Sequence, residues 1–148
     1  MGEAAFRGDK AFCSNFYPSP VVWQGVVYAT VEHAFASAKT RDLEWRERIR
    51  AAITPGAAKK LGRQAPLRPD WEERKVNTMR KLLYRKFEDS VLADSLLETG
   101  DEPLVERNFW HDCVWGKCYC PKCGGHGKNM LGSLLMEVRA HLRKVREG

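Results

Sequence analysis

A carboxylate and an amine share one face of a predicted helix in the segment TVEHAFASAKT, residues 30–40. Thr30 is a suitable N-cap, and Glu32 lies in the first turn, where the helix dipole favours a negative charge. Glu32, Ala36 and Lys39 recur at the spacing of one helix face, which separates Glu32 from Lys39 by about 10 Å along the axis. A charged carboxylate there suits a base role or the stabilisation of a developing positive charge, and an amine suits phosphate binding. We expect the small Ala36 to leave room between them for a ligand.

Three cysteines ahead of the last predicted helix have the compact spacing of a zinc knuckle. They are Cys118, Cys120 and Cys123 in the sequence CYCPKCGG, and zinc is held by thiolates at such short spacings. Reduced thiols in a packed loop, redox behaviour and an occasional disulfide remain alternatives, because the spacing departs from two C-x-x-C pairs. Any zinc held by four protein ligands is structural, since no coordination position stays open for water. The fourth ligand is open among Cys113, His111 and His126.

The elements that position these residues are mainly helical. SPVVWQGVVYATV predicts a small hairpin about a Gln-Gly turn, and the helix of residues 30–40 follows it directly. Further helices are predicted from LEWRERIRAAI, from TPGAAKKLG with Gly62 at its end, from residues 71–87 with a capping box of Asp70 and Glu73, from SVLADSLLETG and from NMLGSLLMEVRAHLRKV. The long irregular stretch before the last helix contains a Cys-rich loop, about residues 111–128, and such long loops are usually functional or held by a metal. The predicted fold class is mainly α, or α+β with a small N-terminal β-hairpin, in one domain over residues 1–148.

The composition is that of a globular protein with an excess of positive charge. The 148 residues are 43% hydrophobic and 30% charged, with a formal net charge of +6, and this length suits one domain with a substantial core. No apolar run approaches the ~20 residues that cross a bilayer, and the N-terminal segment lacks the apolar stretch of a signal peptide. We therefore expect a cytoplasmic protein without a membrane partner. The positive charge favours anionic partners, namely phosphorylated small molecules or nucleic acid, without choosing between them.

Sequence blocks distributed over nearly the whole chain resemble those of one family. In chain order they are FRGDKAFCSNFYPSPVV, YATVEHAFASAKT, AKKLGRQ, RPDWEERKVNTMRKLLYRKF, LLETGDEPLVE, WHDCVWG and GKNMLGSLLMEVR. Together and in this order they look like the YbiA-like, or NADAR, family, with departures at Cys13 and Cys113. The resemblance implies a compact, mostly helical domain and N-glycosidase chemistry, the hydrolysis of a C–N bond between ribose C1 and a nitrogenous group. It also implies two substrate classes: phosphoribosylamino-pyrimidine intermediates of riboflavin synthesis, and ADP-ribose attached to guanine in nucleic acid.

The resemblance gives roles to three polar residues, because breaking a ribosyl C–N bond builds positive charge at C1 and at the ring oxygen. Glu32 is the predicted catalytic carboxylate; the alternative is an exposed first-turn glutamate that only complements the dipole. Lys39 is predicted either to bind a phosphate or to form a Schiff base with ring-opened ribose, the alternative being a solvated lysine at a helix end. Asp112, which lies between two tryptophans, is predicted to contact the leaving base, or otherwise to bond backbone amides of its loop.

The predicted substrate contacts are aromatic, amide and cationic side chains. Aromatic rings suit stacking on a planar base, amides suit ribose hydroxyls, and guanidinium or ammonium groups suit phosphates. Both amides have structural alternatives, Asn15 as a turn residue and Asn129 as the cap of the last helix. His33 is expected to face a neighbouring element and to hold a loop of the site. The full set is Arg7, Asn15, Phe16, His33, Arg63, Trp110, Trp115, Lys128 and Asn129.

The sequence thus predicts an N-glycosidase that requires no cofactor for catalysis, with structural zinc as an option for the Cys-rich loop. The substrate is an ADP-ribosyl or a phosphoribosyl N-glycoside, and the small, basic chain favours ADP-ribosyl guanine in DNA or RNA. The alternative is a non-catalytic module that binds ADP-ribose or nucleic acid through its knuckle-like loop. Glu32→Gln separates the two, because a binding module tolerates this change and an enzyme loses turnover.

Overall fold

The computed structural model describes residues 6–148, which fall into two compact units. The central unit comprises Asn15–Lys86, and the terminal unit comprises the described residues before Asn15 together with Phe87–Gly148. The architecture is mainly α-helical with small two-stranded sheets, in agreement with the predicted fold class. Among the described residues, no helix combines the length and the apolar character that a bilayer span needs. The assignment of residues 1–148 to a single domain stays a prediction.

The central unit begins with the predicted hairpin. Strands β1 (Val21–Trp23) and β2 (Val26–Tyr28) pair antiparallel, and the turn between them places Gln24 at φ 50° and Gly25 at φ 79°, the left-handed backbone that tight hairpin turns require. Hydroxyl or carboxylate side chains then accept first-turn N–H groups and so cap the first three helices. These caps are Thr30, Asp42 and Thr54, and the four helices are α1 (Val31–Ala38), α2 (Leu43–Arg50), α3 (Pro55–Gln64) and α4 (Trp71–Lys86).

Helix α1 is the core of the central unit. All eight of its residues are buried, and it packs against α2, α3 and α4. Ala36 is fully buried, and a Cβ built on Gly62 of α3 would lie 2.9 Å from the Ala36 Cβ. The expectation that Ala36 leaves room for a ligand is therefore wrong, because its small side chain admits the backbone of α3 instead. Gly62 is likewise not the end of its helix, since α3 continues to Gln64.

The Asp70 carboxylate, which directly precedes α4, forms ion pairs. The Asp70 carboxylate accepts hydrogen bonds from Arg68 Nε at 2.7 Å and from Arg74 Nε at 2.6 Å. These guanidinium groups, Arg68 above all, hold the pKa of Asp70 well below its usual value. The turn before α4 is thus held by ion pairs of Asp70, and the capping box of Asp70 and Glu73 stays a prediction.

The terminal unit carries the Cys-rich loop between two helices. A 3₁₀ helix (Gly8–Cys13) lies at its N-terminal side, and the remaining elements are α5 (Ser90–Glu98), β3 (Arg107–Asn108), β4 (Lys117–Cys118) and α6 (Met130–Glu147). Strands β3 and β4 pair in parallel over two residues each. In α6 the sequence spacing predicts one buried stripe of Leu131, Leu135, Val138, Leu142 and Val145. The first three of these residues are buried, but Val145 is 61% exposed, so the stripe stops before it.

Candidate active site

Glu32 is buried in the first turn of α1, with 7% of its surface exposed. The backbone fixes this turn at two points. The Glu32 N–H donates to the Asn15 carbonyl at 3.1 Å, and the Thr30 hydroxyl accepts the His33 N–H at 3.1 Å. Burial removes the alternative of an exposed glutamate that only complements the dipole. The result is a carboxylate that is withdrawn from water at a helix end whose field favours negative charge.

Lys39 follows at the C-terminal end of the same helix and is half-buried. Burial lowers its pKa below the usual lysine value of 10.5, the Glu32 charge opposes this shift, and the positive charges of Arg63 and Lys59 add to it. The ammonium lies 6.0 Å from the centroid of the Phe35 ring. The amine is therefore displaced toward its neutral, nucleophilic form by its surroundings.

The SNFYP segment supplies an amide and an aromatic ring to the central unit. Asn15 Oδ1 is buried and has no hydrogen-bond partner within the described part of the chain, while Asn15 Nδ2 lies 3.6 Å from the Met79 sulfur. Phe16 is 42% exposed, and the Lys59 ammonium lies 5.9 Å from its ring centroid. A buried acceptor without a partner costs free energy, so a ligand hydroxyl that reached Asn15 would gain from bonding to it. With His33, the central unit holds six predicted site residues: Asn15, Phe16, Glu32, His33, Lys39 and Arg63.

His33 has a structural role, in agreement with the expectation that it holds a loop. Its Nε2 lies 3.0 Å from the Ala52 carbonyl, which can only accept, so Nε2 carries the hydrogen. Its Nδ1 then accepts from the Thr30 hydroxyl at 2.8 Å. Because both ring nitrogens are engaged, a substrate contact through the His33 ring would require one of these bonds to break.

Asn108, which the sequence pattern did not single out, ties the start of the Cys-rich loop together. Its fully buried amide oxygen accepts the N–H groups of Trp110 at 3.2 Å and Asp112 at 3.1 Å. Its amide nitrogen donates to the Asp112 carbonyl at 2.8 Å and to the Lys117 carbonyl at 3.3 Å. The sequence feature that could have identified Asn108 is its position just before the long Cys-rich loop. An asparagine side chain can accept from backbone N–H groups and donate to backbone carbonyls at the same time.

Asp112 makes the bonds of a turn. Its Oδ1 accepts the backbone N–H of Val114 at 3.1 Å and of Trp115 at 2.9 Å, which is the structural alternative to a base contact. An ionised carboxylate has about four acceptor sites, so these two bonds are compatible with a further contact. Trp110 is 53% exposed and Trp115 is half-buried, so Trp110 offers the larger ring surface. The site roles of these three residues stay predictions.

Asn129 precedes α6 but uses its side chain elsewhere. Within the described residues it makes no side-chain cap bond, and its amide instead accepts the Glu106 N–H and donates to the Leu104 carbonyl, both at 2.9 Å. The prediction of a side-chain cap is therefore wrong. Gly132 permits this arrangement, because a Cβ there would lie 2.0 Å from the Leu104 carbonyl oxygen. The neighbouring Lys128 is exposed.

Arg7 lines a charged cavity of about 250 Å³ in the terminal unit. In its wall, Lys10 and Glu102 form an ion pair at 2.8 Å, and this hydrogen bond raises the pKa of Lys10. Asp9 and Arg107 also contribute to the lining. The cavity carries charges of both signs, so it does not single out Arg7 as a phosphate contact.

His111 and three cysteines converge in the Cys-rich loop. Their ligating nitrogen and sulfur atoms all lie within 4.8 Å of one another, and the sulfurs are those of the predicted Cys118, Cys120 and Cys123. The Cys123 N–H bond lowers the pKa of Cys120 to about 7, and the Cys120 sulfur raises the pKa of Cys123 to about 12. Three sulfurs and one imidazole form a donor set that suits zinc.

The chain is similar to known proteins along nearly its whole length. Residues 5–143 match the NADAR domain. The N-glycosidase YbiA of Escherichia coli strain K12 is 42% identical over 139 residues, which cover 90% of this chain and 82% of that protein. The NMR structure of the E. coli protein YbiA superposes with a TM-score of 0.79 at 36% identity, covering 99% of this chain and 89% of that chain. A riboflavin biosynthesis protein of Vibrio vulnificus is 35% identical over 139 residues, which cover 92% of this chain but 36% of that protein.

Proposed function

Because the chain belongs to the NADAR family, we propose that it hydrolyses the ribosyl C–N bond of a phosphoribosylamino-pyrimidine, an intermediate of riboflavin synthesis. Its similarity to named N-glycosidases over most of the chain makes it a glycosyl hydrolase. The choice of substrate is supported by the Vibrio vulnificus relative, whose name refers to riboflavin biosynthesis. The phosphoribosylamino-pyrimidine is thus placed before ADP-ribosyl guanine, which the size and charge of the chain alone had favoured.

The observation that carries the proposal is the placement of buried Glu32 and half-buried Lys39 on one helix. Positive charge develops at ribose C1 when the C–N bond breaks, whether the intermediate is an oxocarbenium ion or an iminium ion. A carboxylate withdrawn from water stabilises that charge more strongly than an exposed one, because the solvent screens it less. Glu32 therefore stabilises the charge at C1 and accepts the proton of the attacking water.

Lys39 acts as a nucleophile in this proposal rather than as a phosphate contact. An N-glycoside with a hydrogen on its linking nitrogen can open its ribose ring to an imine at C1. The neutral Lys39 amine adds to C1, and the linking nitrogen leaves as an amine, so that a lysine–ribose imine forms. Water then adds to C1, which releases open-chain ribose phosphate and restores the lysine. The lowered pKa of Lys39 supports this role, because only the neutral amine attacks.

Three further residues of the central unit bind the substrate in this proposal. Arg63 suits the phosphate, since a guanidinium forms paired hydrogen bonds to phosphate oxygens. The buried Asn15 Oδ1 accepts a hydrogen bond from a ribose hydroxyl, and the exposed face of Phe16 stacks on the pyrimidine. Further predicted contacts, not needed for this chemistry, are Trp110, Asp112, Trp115, Lys128 and Asn129.

ADP-ribosyl guanine in nucleic acid is the second candidate substrate. The net charge of +6 favours it, because a polyanion gains more from a basic protein than a single phosphate does. The same Glu32 and Lys39 chemistry applies where the linked guanine nitrogen carries a hydrogen, because the ribose ring then opens to an imine at C1. Neither candidate calls for a cofactor in bond cleavage, and zinc in the Cys-rich loop would be structural.

A product assay tests the substrate and the mechanism together. The wild-type protein and Lys39→Met are incubated with the phosphoribosylamino-pyrimidine and with DNA that carries ADP-ribosylated guanine, and the released sugars are identified by mass spectrometry. We expect ribose 5-phosphate from the first substrate, and borohydride should trap a covalent adduct on the wild-type protein but not on the variant. Release of ADP-ribose alone would transfer the proposal to the second substrate. Binding without either product would support the non-catalytic module.

A further inference from the structure

Four side chains of the Cys-rich loop have donor atoms separated by the distances of a zinc site. His111 Nδ1 lies 3.4 Å from Cys123 Sγ, 3.5 Å from Cys120 Sγ and 3.9 Å from Cys118 Sγ. A tetrahedral site with Zn–S of about 2.3 Å and Zn–N of about 2.0–2.1 Å separates nitrogen from sulfur by about 3.5 Å. The three measured distances bracket that value. The nitrogen-to-sulfur distances therefore fit a tetrahedral zinc site, and all four donor atoms lie within 4.8 Å of one another.

We propose that His111, Cys118, Cys120 and Cys123 bind one structural Zn²⁺ ion. Three thiolates and one imidazole complete the coordination, so no position stays open for water or substrate and the metal takes no part in bond cleavage. The site is separate from the proposed glycosidase chemistry, which uses none of these four side chains. Zinc is favoured over harder cations because all four donors are sulfur or nitrogen.

Backbone N–H groups around the cluster are directed at its sulfurs. The His111 N–H donates to Cys118 Sγ at 3.3 Å, and the Cys123 N–H donates to Cys120 Sγ at 3.3 Å. Such bonds disperse the negative charge of a metal-bound thiolate and fix its orientation. Cys118 and Cys120 are also buried, which excludes water from one side of the cluster. Two of the three sulfurs thus already have the backbone N–H donors that would stabilise a metal-bound thiolate.

The structure also decides among the three candidates for the fourth ligand. His111 has φ 68°, a left-handed backbone that costs free energy in a residue other than glycine, and in this conformation its Nδ1 meets all three sulfurs. His126 Nδ1 instead lies 2.7 Å from the Cys123 carbonyl oxygen. Cys113 is not one of the four residues whose donor atoms lie within 4.8 Å of one another.

A bound metal ion would restrain the Cys-rich loop, which few backbone pairings restrain in its absence. Strands β3 and β4 pair over two residues each, and a single further bridge joins Cys118 to His126 in the described chain. A bound ion would cross-link residues 111 and 123 and so close the loop between them. Trp110 and Asp112 flank His111 directly, so the ion would also restrict the positions of these two side chains.

Metal analysis of four single variants tests the proposal with matched controls. The full chain is expressed in zinc-supplemented medium, and zinc is measured by inductively coupled plasma mass spectrometry. We expect about one Zn²⁺ per wild-type chain and loss of most of it in His111→Ala and Cys120→Ser. The rejected ligands provide controls of the same residue types, and His126→Ala and Cys113→Ser should keep the wild-type content. A wild-type protein without zinc overturns the proposal, as does equal loss in controls and ligand variants.

Two measurements on the wild-type protein remain informative if a ligand variant fails to fold. Replacement of zinc by Co²⁺ should produce sulfur-to-cobalt charge-transfer bands and the visible bands of tetrahedral cobalt, and octahedral-type bands would contradict the ligand set. Alkylation should label Cys118, Cys120 and Cys123 only after a chelator has removed the metal. A mass two hydrogens lower, with no thiol released by the chelator, would show a disulfide and overturn the proposal. Hydrogen exchange should accelerate across residues 107–128 on metal removal, but not in Asn15–Lys86.

Discussion

Helix α1 and the Cys-rich loop hold their predicted site residues by different physical means. Helix α1, which carries Glu32, buries all eight of its residues against three other helices. The Cys-rich loop is held by the Asn108 amide, by backbone bonds such as Cys118 N–H to the His126 carbonyl at 2.9 Å, and by the sulfur cluster. One region is ordered by excluded volume and the other by directional bonds.

This difference implies different responses to substitution. Around α1, an added or removed methyl group should matter more than the loss of a hydrogen bond, because the packing there leaves little space. In the loop, the loss of one amide or thiol should matter more than a change of volume, because few apolar contacts compensate for it. Each of the following substitutions is paired with a control that leaves the corresponding interaction intact.

The largest expected effect is that of Glu32→Gln, which preserves the packing of α1 and removes the charge. We expect kcat to fall by at least about 10²–10³-fold, the loss that follows removal of one preorganised charge-stabilising group, while the unfolding midpoint changes little. Steady-state product release measures this. Glu44→Gln is the control, because Glu44 lies in the exposed first turn of α2. Equal losses in the two variants would refute a specific role for Glu32.

The next effect is that of Asn108→Ala on the start of the loop. The substitution leaves two N–H groups and two carbonyls without their partner, so we expect the free energy of unfolding to fall by about 2–3 kcal/mol. Urea denaturation followed by tryptophan fluorescence measures the change. Asn77→Ala on the exposed face of α4 should cost less than about 0.5 kcal/mol. A cost at Asn108 as small as at Asn77 would mean that the loop does not depend on this amide.

A smaller effect is expected from Gly62→Ala, which adds one methyl group between α3 and α1. The new Cβ would lie 2.9 Å from the Ala36 Cβ, so overpacking outweighs the gain in helix propensity and the net cost is about 1–2 kcal/mol. Gly56→Ala is the control, because its nearest neighbour, Thr54 Oγ1, is 3.9 Å away. This control should be neutral or stabilising in thermal denaturation. Addition of Ala36→Gly should recover part of the Gly62→Ala loss, and a loss that stays the same would show that the two positions are not coupled.

The smallest expected effect is on the pKa values of two lysines, Lys39 and Lys10, which are shifted in opposite directions. Lys39 should titrate below 10.5 because it is buried, and Lys10 above 10.5 because it bonds to Glu102. Between the lowered pKa of Lys39 in the folded state and its ordinary value of 10.5 in the unfolded state, the folded state binds fewer protons at Lys39 than the unfolded state does. The free energy of unfolding that Lys39 contributes therefore increases as pH rises through that range. NMR titration of ¹³C-methylated lysines measures both. Glu32→Gln should lower the Lys39 pKa further, and an unchanged value would show that the two residues do not interact.

Local rules predicted the elements that depend on neighbouring residues in the chain. The caps at Thr30 and Thr54, the Gln24-Gly25 turn and the buried stripe of α6 each follow from side-chain chemistry within one turn of backbone. Glu32 and Lys39 were singled out from spacing, and the burial of Glu32 is what the spacing did not show. Burial depends on which helices lie against α1, and no local pattern contains that information.

The features that sequence reasoning missed arise from contacts between distant residues. Ala36 was interpreted as open space because nothing near it in the chain indicates that Gly62 covers it. The choice of His111 as the fourth sulfur-cluster partner depends on a left-handed backbone at that residue, which its sequence neighbours do not specify.

The close approach of α3 to α1 has an evolutionary consequence. The two helices meet at Gly62 and at the methyl group of Ala36. A larger side chain at one of these positions is tolerated only if the other position carries a smaller one. Positions 36 and 62 should therefore vary together among relatives, with small residues paired and a larger residue at one matched by glycine at the other. Arg63 follows directly after Gly62 in the chain. The same covariation would therefore also keep the backbone of Arg63, and with it the start of its side chain, in a constant position. Selection for a phosphate contact would then be recorded at two positions that never touch the phosphate.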